Sequence, residues 1–187
     1  LVRLTNNDEN LIKRVMDSGA HGIIVPMVKT AQGMQDAVDA VYYPPRGSRG
    51  VGLARAQKYG ADFAGYQEWL KNEAVVIAQI EHIDAVNNLE DILSIEGVDG
   101  YFLGPYDLSA SMGLTGQIEH PDVQAAMTKV YEIGKKLNKS GGLHIVEPDE
   151  KKLKDSVTKG FTFIAYSIDT RIIDTICRSA VNSVKEL

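Results

Sequence analysis

Residues 74–107, AVVIAQIEHIDAVNNLEDILSIEGVDGYFLGPYD, place two short apolar runs on either side of an amphipathic stretch. The runs 74–80 and 100–103 are apolar at successive positions, which predicts strands that are buried on both faces. Between them, the spacing of apolar residues over 83–93 favours a helix. A strand, a helix and a second strand in this order indicate one unit of a parallel sheet that is covered by helices.

The same alternation continues toward both ends of the chain. Further strands are predicted at residues 1–4, 22–27, 142–146 and 161–166. Further helices are predicted at residues 8–18, 30–41, 66–72, 121–137, 149–158 and 170–184. Segment 43–60 is rich in glycine and proline and is expected to be a long loop. The chain therefore carries six strand–helix units.

Unit spacing favours a barrel. Six units in 187 residues give about 31 residues per unit, and a closed eight-unit barrel at that spacing needs about 250 residues. We predict an α/β protein with a (β/α)8 TIM-barrel fold, of which this chain carries about six units. An open doubly wound sheet is the alternative. We expect residues 1–187 to form one barrel domain whose first two units are absent from the chain.

Composition excludes several classes of partner. The net charge is −5 and the 20 basic residues are scattered, which argues against nucleic acid. No apolar run approaches the ~18–20 residues that span a bilayer, which argues against a membrane. The single cysteine, Cys177, has no internal disulfide partner. It is expected to be a small core residue of the last helix, and its isolation fits a cytoplasmic protein.

Polar side chains follow several of the predicted strands. Arg3 ends the first strand, Glu81 follows the third, and Gln79 points to the same side as Glu81 two residues earlier. Asp107 follows the fourth strand in GPYDLS, and His144 lies in the strand GGLHI. Because barrel chemistry lies at the carboxyl ends of the strands, these side chains are expected to gather at one rim.

Two carboxylates without a nearby cysteine predict a site for a hard cation. Mg²⁺ or Mn²⁺ would bind Glu81 and Asp107, with water or substrate oxygens completing the coordination. A bidentate 2-oxo carboxylate would complete such a site, where the cation would stabilise an enolate. Arg3 would donate a charge-assisted hydrogen bond to the same oxygen.

Structural roles compete with each assignment. Carboxylates at strand ends also cap helices or pair with arginines, and Asp107 begins a short helical stretch that it could cap. Loop residues 44–52, with Arg46 and Arg49, could cradle a phosphate, although a rigid loop at the barrel mouth is the preferred interpretation. Arg49 and Arg55 are candidate contacts for a distal substrate carboxylate. Lys29, close behind a strand, is the one Schiff-base candidate.

Several segments together resemble one family. They are GIIVPMVKTA at 22–31, YYPPRGSRGVG at 42–52, QIE at 79–81, EGVDGYFLGPYDLSASMG at 96–113 and HPDVQAA at 120–126. In this order they resemble the HpcH/HpaI aldolases, which are class II pyruvate aldolases of aromatic and sugar-acid catabolism. The resemblance implies a (β/α)8 barrel, a hexamer built as a trimer of dimers, and a divalent metal: Mg²⁺, Mn²⁺ or possibly Co²⁺.

The resemblance also implies residue roles. Glu81 and Asp107 would be the metal ligands, and Arg3 would stabilise the enolate. Gln79 and the backbone at Tyr106 and Asp107 would lie beside the pyruvate moiety.

Two further positions bear on catalysis. Asp17 resembles the aspartate of a His–Asp pair that handles the proton, but the Glu-His segment that supplies the family's histidine is not in this sequence. His144 stands where better-known members have an aliphatic residue, which makes it a candidate substrate contact.

The expected function is reversible cleavage of a 4-hydroxy-2-oxo acid to pyruvate and an aldehyde by a metal-dependent lyase. One alternative is an enzyme like the citrate lyase β-subunit or malyl-CoA lyase, which act on acyl-CoA thioesters. A non-catalytic protein that binds metal and 2-oxo acids is the other alternative.

Overall fold

The computed structural model describes residues 1–185 of the chain. Its strands are β1 Val2–Arg3, β2 Gly22–Val25, β3 Val75–Ile80, β4 Gly100–Leu103, β5 Ser140–Ile145 and β6 Phe163–Tyr166. Its helices are α1 Glu9–Asp17, α2 Ala31–Val41, α3 Phe63–Glu73, α4 Ile83–Asn87, α5 Leu89–Leu93, α6 Pro105–Ser111, α7 Pro121–Lys136, α8 Glu150–Thr158 and α9 Asp169–Lys185, with a 3-10 turn at Arg55–Gly60.

The six strands form one parallel sheet in sequential order, β1 to β6. A doubly wound sheet reverses its strand order at a switch point, so the sequential order rules out that alternative for the described residues. A curled sheet of this kind, with helices between successive strands, is part of a TIM-like barrel. The parallel α/β prediction is confirmed, while the total of eight units stays a prediction.

Both faces of the sheet are apolar, as the continuous apolar runs predict. Ile24, Ile77 and Phe102 are buried together on the concave face, in the interior of the curl. Side chains that point to the other face of the sheet, such as Val76 and Leu103, belong to a larger cluster beneath the helices. Because successive side chains of a strand point to opposite faces, Gln79 and Glu81 share the face of Ile77.

Local signals set the ends of α1. Asp8 caps its first turn by accepting a hydrogen bond from the Leu11 N–H at 2.9 Å. Ile12 and Met16 are buried on one side of the helix. Gly19 follows the C-terminus with φ +94°, a left-handed conformation that glycine adopts readily. The helix therefore runs from the carboxyl end of β1 back toward the amino end of β2.

Three local predictions are corrected. The helix predicted over 83–93 is two short helices, because the chain leaves helical geometry at Asn88. The loop predicted over 43–60 ends in a 3-10 turn at Arg55–Gly60. Cys177 is exposed rather than in the core, because α9 buries none of its described residues. No helix within residues 1–185 is long and apolar enough to cross a membrane.

Candidate metal site at the carboxyl ends of the strands

Glu81 is the most restrained carboxylate at this end of the sheet. It follows β3 directly and is only 3% exposed. Its Oε1 accepts a hydrogen bond from the Met27 N–H at 2.8 Å, and its Oε2 accepts one from Gln79 Nε2 at 2.6 Å. Each carboxylate oxygen therefore has one donor from the protein, and each keeps a lone pair for a further partner.

The absence of a side chain at Gly104 leaves the space that the Glu81 carboxylate occupies. The register pairs Ile80 with Leu103, so Gly104, the residue that follows β4, lies beside Glu81. A Cβ at residue 104 would lie 2.8 Å from Glu81 Cβ and 2.9 Å from Oε2. Only a glycine leaves the carboxylate where it is, since contacts this short force atoms apart.

The pKa of Glu81 is influenced by Asp107 and Arg3, which places both residues near its carboxylate. Burial raises the pKa of the Glu81 carboxyl and is the largest influence on it. The Met27 N–H lowers this pKa, the neighbouring Asp107 carboxylate raises it, and the positive charge of Arg3 lowers it. Two carboxylates that repel each other in a partly buried site match the donor set of a hard divalent cation, which would remove the repulsion.

Asp107 does not have the capping role that its position in the sequence allowed. Helix α6 begins after Gly104, and Asp107 lies in its first turn without a side-chain capping hydrogen bond. Its side chain is exposed. Within residues 1–185, neither Asp107 nor Glu81 forms a salt bridge with a lysine or arginine. Both carboxylates are therefore available to a cation.

Glu81 and Asp107 are the two carboxylates that the described residues place together here. Among the described residues, no group of three or more His, Cys, Asp or Glu side chains is placed to hold a metal. A hard cation here would take its other ligands from water and from a substrate, as Mg²⁺ commonly does. Such a site leaves open positions for a chelating ligand.

Gln79 has an unused acceptor. Its Nε2 is committed to Glu81, while its Oε1 is buried without a hydrogen-bond partner. A buried acceptor that lacks a partner is costly, so a donor from a bound molecule or water would be stabilised there. This supports the placement of Gln79 beside a ligand.

Arg3 and His144 lie at the same end of the sheet as the two carboxylates. Arg3 is exposed at the end of β1, where its Nη1 donates to the Leu4 carbonyl at 3.1 Å. His144 is half-buried and stacks on Phe102 with ring centroids 6.4 Å apart, so it faces the interior of the curl. Leu103 pairs with Leu143, which puts His144 in one row with Gly104 and Glu81. Since Gly104 has no side chain, it does not fill the space between His144 and Glu81.

Tyr106 and Lys29 lie at the same end of the sheet. Tyr106 precedes Asp107 in α6 and is 48% exposed. Lys29 is exposed after β2, and its carbonyl accepts a hydrogen bond from Asn88 Nδ2 at 2.9 Å.

Asp17 is not brought to these residues. It lies at the C-terminal end of α1, which runs away from Arg3, and it accepts hydrogen bonds from Lys13 Nζ at 2.6 Å and Arg49 Nη1 at 3.2 Å. Arg49 is fully buried and also donates to the Tyr66 hydroxyl at 2.9 Å. Asp17 is therefore part of an ion-paired cluster at the opposite end of the sheet.

The loop at 43–60 is also at that opposite end. It connects the end of α2 to the helix before β3, so it cannot lie at the carboxyl ends of the strands. Arg49 stacks over Tyr43 at 4.4 Å and Arg55 donates to the Ser18 carbonyl at 2.6 Å. The loop is packed against α1 and α3 at the amino ends of the strands, so its predicted place at the barrel mouth is wrong.

Sequence reasoning missed Met27 and Gly104. Met27 contacts Glu81 through its backbone with φ 51°, a left-handed conformation that no sequence pattern assigns to methionine. The sequence did mark Gly104 as part of a sharp turn, because a Gly-Pro pair follows a predicted strand there. That signal predicts the turn but not the proximity of Glu81.

A family model described as HpcH/HpaI aldolase/citrate lyase matches residues 1–174. A hydroxypyruvate/pyruvate aldolase from Sagittula stellata is 43% identical over 176 residues, which are 94% of this chain and 68% of that protein. A 4-hydroxy-2-oxo-heptane-1,7-dioate aldolase from Shigella sonnei is 39% identical over 92% of this chain and 66% of its own length. The chain thus spans about two thirds of these curated relatives.

Solved structures show the same fold. The crystal structure of an HpcH/HpaI aldolase from Desulfitobacterium hafniense superposes with a TM-score of 0.90 at 32% identity, covering 100% of this chain and 72% of that one. An HpcH/HpaI aldolase/citrate lyase family protein from Burkholderia cenocepacia gives a TM-score of 0.91 at 32% identity, over 98% of this chain and 73% of that one.

Proposed function

The chain belongs to the HpcH/HpaI aldolase/citrate lyase family, and on that basis we propose that it is part of a metal-dependent carbon–carbon lyase. The reaction is the reversible cleavage of a 4-hydroxy-2-oxo acid to pyruvate and an aldehyde. The observation that carries the proposal is the buried Glu81 carboxylate, which faces Asp107 beside the positive charge of Arg3. The names of the curated relatives, which are aldolases, support the same reaction.

Glu81 and Asp107 are the proposed ligands of Mg²⁺, Mn²⁺ or Co²⁺. When bound, the cation supplies Lewis-acid polarisation of the keto oxygen of the substrate. The hydrogen bonds from Met27 and Gln79 hold Glu81 in one orientation before any ligand arrives. A carboxylate that is already ordered loses little conformational freedom when it binds.

Arg3 is the proposed donor to the enolate oxygen that develops during cleavage. Its planar guanidinium can offer parallel N–H groups to an oxygen and to the adjacent carboxylate. Gln79 and the backbone at Tyr106 and Asp107 are proposed to orient the pyruvate moiety. His144 is proposed to contact the substrate, from its place in the row of Glu81 with the glycine gap between them.

Proton transfer is proposed to involve a base beyond the described residues. Asp17 is the aspartate that the family resemblance assigns to a His–Asp pair, and in this chain it is paired with Lys13 and Arg49 away from Glu81. It could serve a proton transfer only beside a histidine that another part of the protein, or another subunit, supplies. The proposed assembly is a cytoplasmic homohexamer, a trimer of dimers.

An assay of pyruvate release tests the proposed reaction. Full-length protein that contains this chain is incubated with Mn²⁺ and a 4-hydroxy-2-oxo acid, and pyruvate is measured with lactate dehydrogenase and NADH. Metal-dependent release is the expected result. Turnover of an acyl-CoA thioester alone would favour a citrate-lyase-like enzyme. Calorimetric binding of Mn²⁺ and pyruvate without turnover of either substrate would favour a non-catalytic binding protein.

The class of aldolase can be tested separately. A chelator is expected to stop cleavage, and added Mn²⁺ is expected to restore it. Borohydride with pyruvate is expected to leave no covalent adduct, because the proposed enolate needs no lysine imine. A carboxyethyl adduct on Lys29, the exposed lysine that follows β2, left by borohydride reduction of a pyruvate imine, would contradict the metal mechanism.

A further inference from the structure

Met27 has a backbone conformation that its own side chain does not explain. Its φ of 51° is in the left-handed region, where a residue with a Cβ is sterically disfavoured. The side chain is 47% exposed, so packing of that side chain in the core is not what holds the conformation. Val28, the next residue, is 2% exposed and returns to the core at once.

This conformation aims the Met27 N–H at a single acceptor. The N–H donates to Glu81 Oε1 at 2.8 Å, across 54 positions of sequence and from the turn that follows the neighbouring strand β2. On the other side, Gln79 Nε2 donates to Oε2 at 2.6 Å, and the glycine at 104 leaves room for that oxygen. Glu81 is thus held by two hydrogen bonds, and Met27 provides one of them through its backbone alone.

We propose that Met27 is a positioning residue, whose left-handed backbone orients the Glu81 carboxylate so that it can bind a divalent cation together with Asp107. The proposal rests on the metal site described under Proposed function. It assigns the role to the backbone N–H of residue 27 and to the sign of φ there, not to the thioether side chain. Partners that orient a metal ligand commonly change metal affinity by about 10- to 100-fold when they are lost.

Substitutions at residue 27 separate the backbone from the side chain. Glycine adopts positive φ without strain, and asparagine does so more readily than most residues. Isoleucine is close to methionine in size, but its branched Cβ makes positive φ strongly unfavourable. Met27→Gly and Met27→Asn should therefore preserve the hydrogen bond to Glu81, while Met27→Ile should lose it.

The measurement is Mn²⁺ affinity, from an electron paramagnetic resonance titration of free Mn²⁺ against each full-length variant. Met27→Gly and Met27→Asn are expected to bind within about threefold of the wild type, and Met27→Ile about 10- to 100-fold more weakly. A role of the side chain predicts the opposite order, with Met27→Gly the weakest. Circular dichroism of the metal-free proteins checks that each variant is folded.

The outcomes are distinct. If Met27→Ile binds Mn²⁺ as tightly as the wild type, or if Met27→Gly and Met27→Asn bind as weakly as Glu81→Gln, the role of Met27 is refuted while the metal site stands. If Met27→Ile does not fold, retained affinity in both other variants still supports the backbone role. If the wild type itself binds no Mn²⁺, both the metal site and the role of Met27 are refuted.

Discussion

Arg3 at the end of β1 and Glu81 directly after β3 carry opposite charges, and Arg3 lowers the pKa of the Glu81 carboxyl across the intervening strand. Arg3→Lys keeps the charge but removes the planar pair of N–H donors. We expect kcat to fall by about 100-fold, as when one preorganised oxyanion donor is lost. Mn²⁺ affinity is expected to stay within a few-fold of the wild type, because Arg3 is not a proposed ligand.

Exchange of the pyruvate methyl protons with solvent, followed by NMR, reports enolate formation without an aldehyde. Exchange and cleavage should decrease together in Arg3→Lys. Intact exchange with lost cleavage would mean that Arg3 serves the aldehyde half, contrary to the proposed role.

Gly104→Ala tests the room around Glu81. The added Cβ would lie 2.8 Å from Glu81 Cβ, an atom close to the backbone that cannot move aside cheaply. We expect Mn²⁺ affinity to fall by about 10- to 100-fold, as when the support of a metal ligand is removed. Gly52→Ala is the matched control, because its Cβ would meet no atom within 4 Å. Equal affinity in the two variants would show that Gly104 has no part in the site.

Residue positions were predictable where strand geometry decides them. The two-residue alternation of a strand and the rule that parallel strands end at one rim predict that Gln79, Glu81 and Asp107 lie together. The sign of φ at Met27 and the short distance from Gly104 to Glu81 were not predictable. Both depend on contacts between the segments that follow neighbouring strands, which only the assembled sheet brings together.

At the scale of elements, the loop at 43–60 is fixed by Arg49. This side chain is fully buried between Tyr43 and Tyr66 and pairs with Asp17 of α1. The sequence showed the glycines and arginines of the loop, but it did not show which arginine is buried. The order of elements does predict the end of the sheet at which the loop lies, since a helix that returns from β2 ends at the amino ends of the strands.

Arg49→Met should destabilise the protein by about 2–3 kcal/mol, because it leaves the Asp17 carboxylate and the Tyr66 hydroxyl without their buried partner. Arg46→Met is the control in the same loop, since Arg46 is exposed and stacks on Tyr42 at 3.7 Å. Its loss should cost less than about 1 kcal/mol. Urea unfolding with an unchanged m-value measures both. Equal effects of the two substitutions would contradict the structural role of Arg49.

At the scale of the whole molecule, the strand–helix alternation predicts a parallel sheet, and the sequential strand order is what a barrel requires. The alternation could not distinguish a barrel from a doubly wound sheet, because both repeat the same unit and differ only in strand order. Strand order depends on which edge each new strand joins. That choice is made by packing over the entire sheet, so local sequence patterns do not contain it.

The central claim is that Glu81 and Asp107 together hold one divalent cation. Mn²⁺ titration of the full-length protein, Glu81→Gln and Asp107→Asn, followed by electron paramagnetic resonance, tests it most directly. The wild type is expected to bind one Mn²⁺ per chain. Each variant is expected to bind at least about tenfold more weakly, because a neutral amide replaces an anionic oxygen ligand. Wild-type affinity and stoichiometry in either variant would contradict the claim.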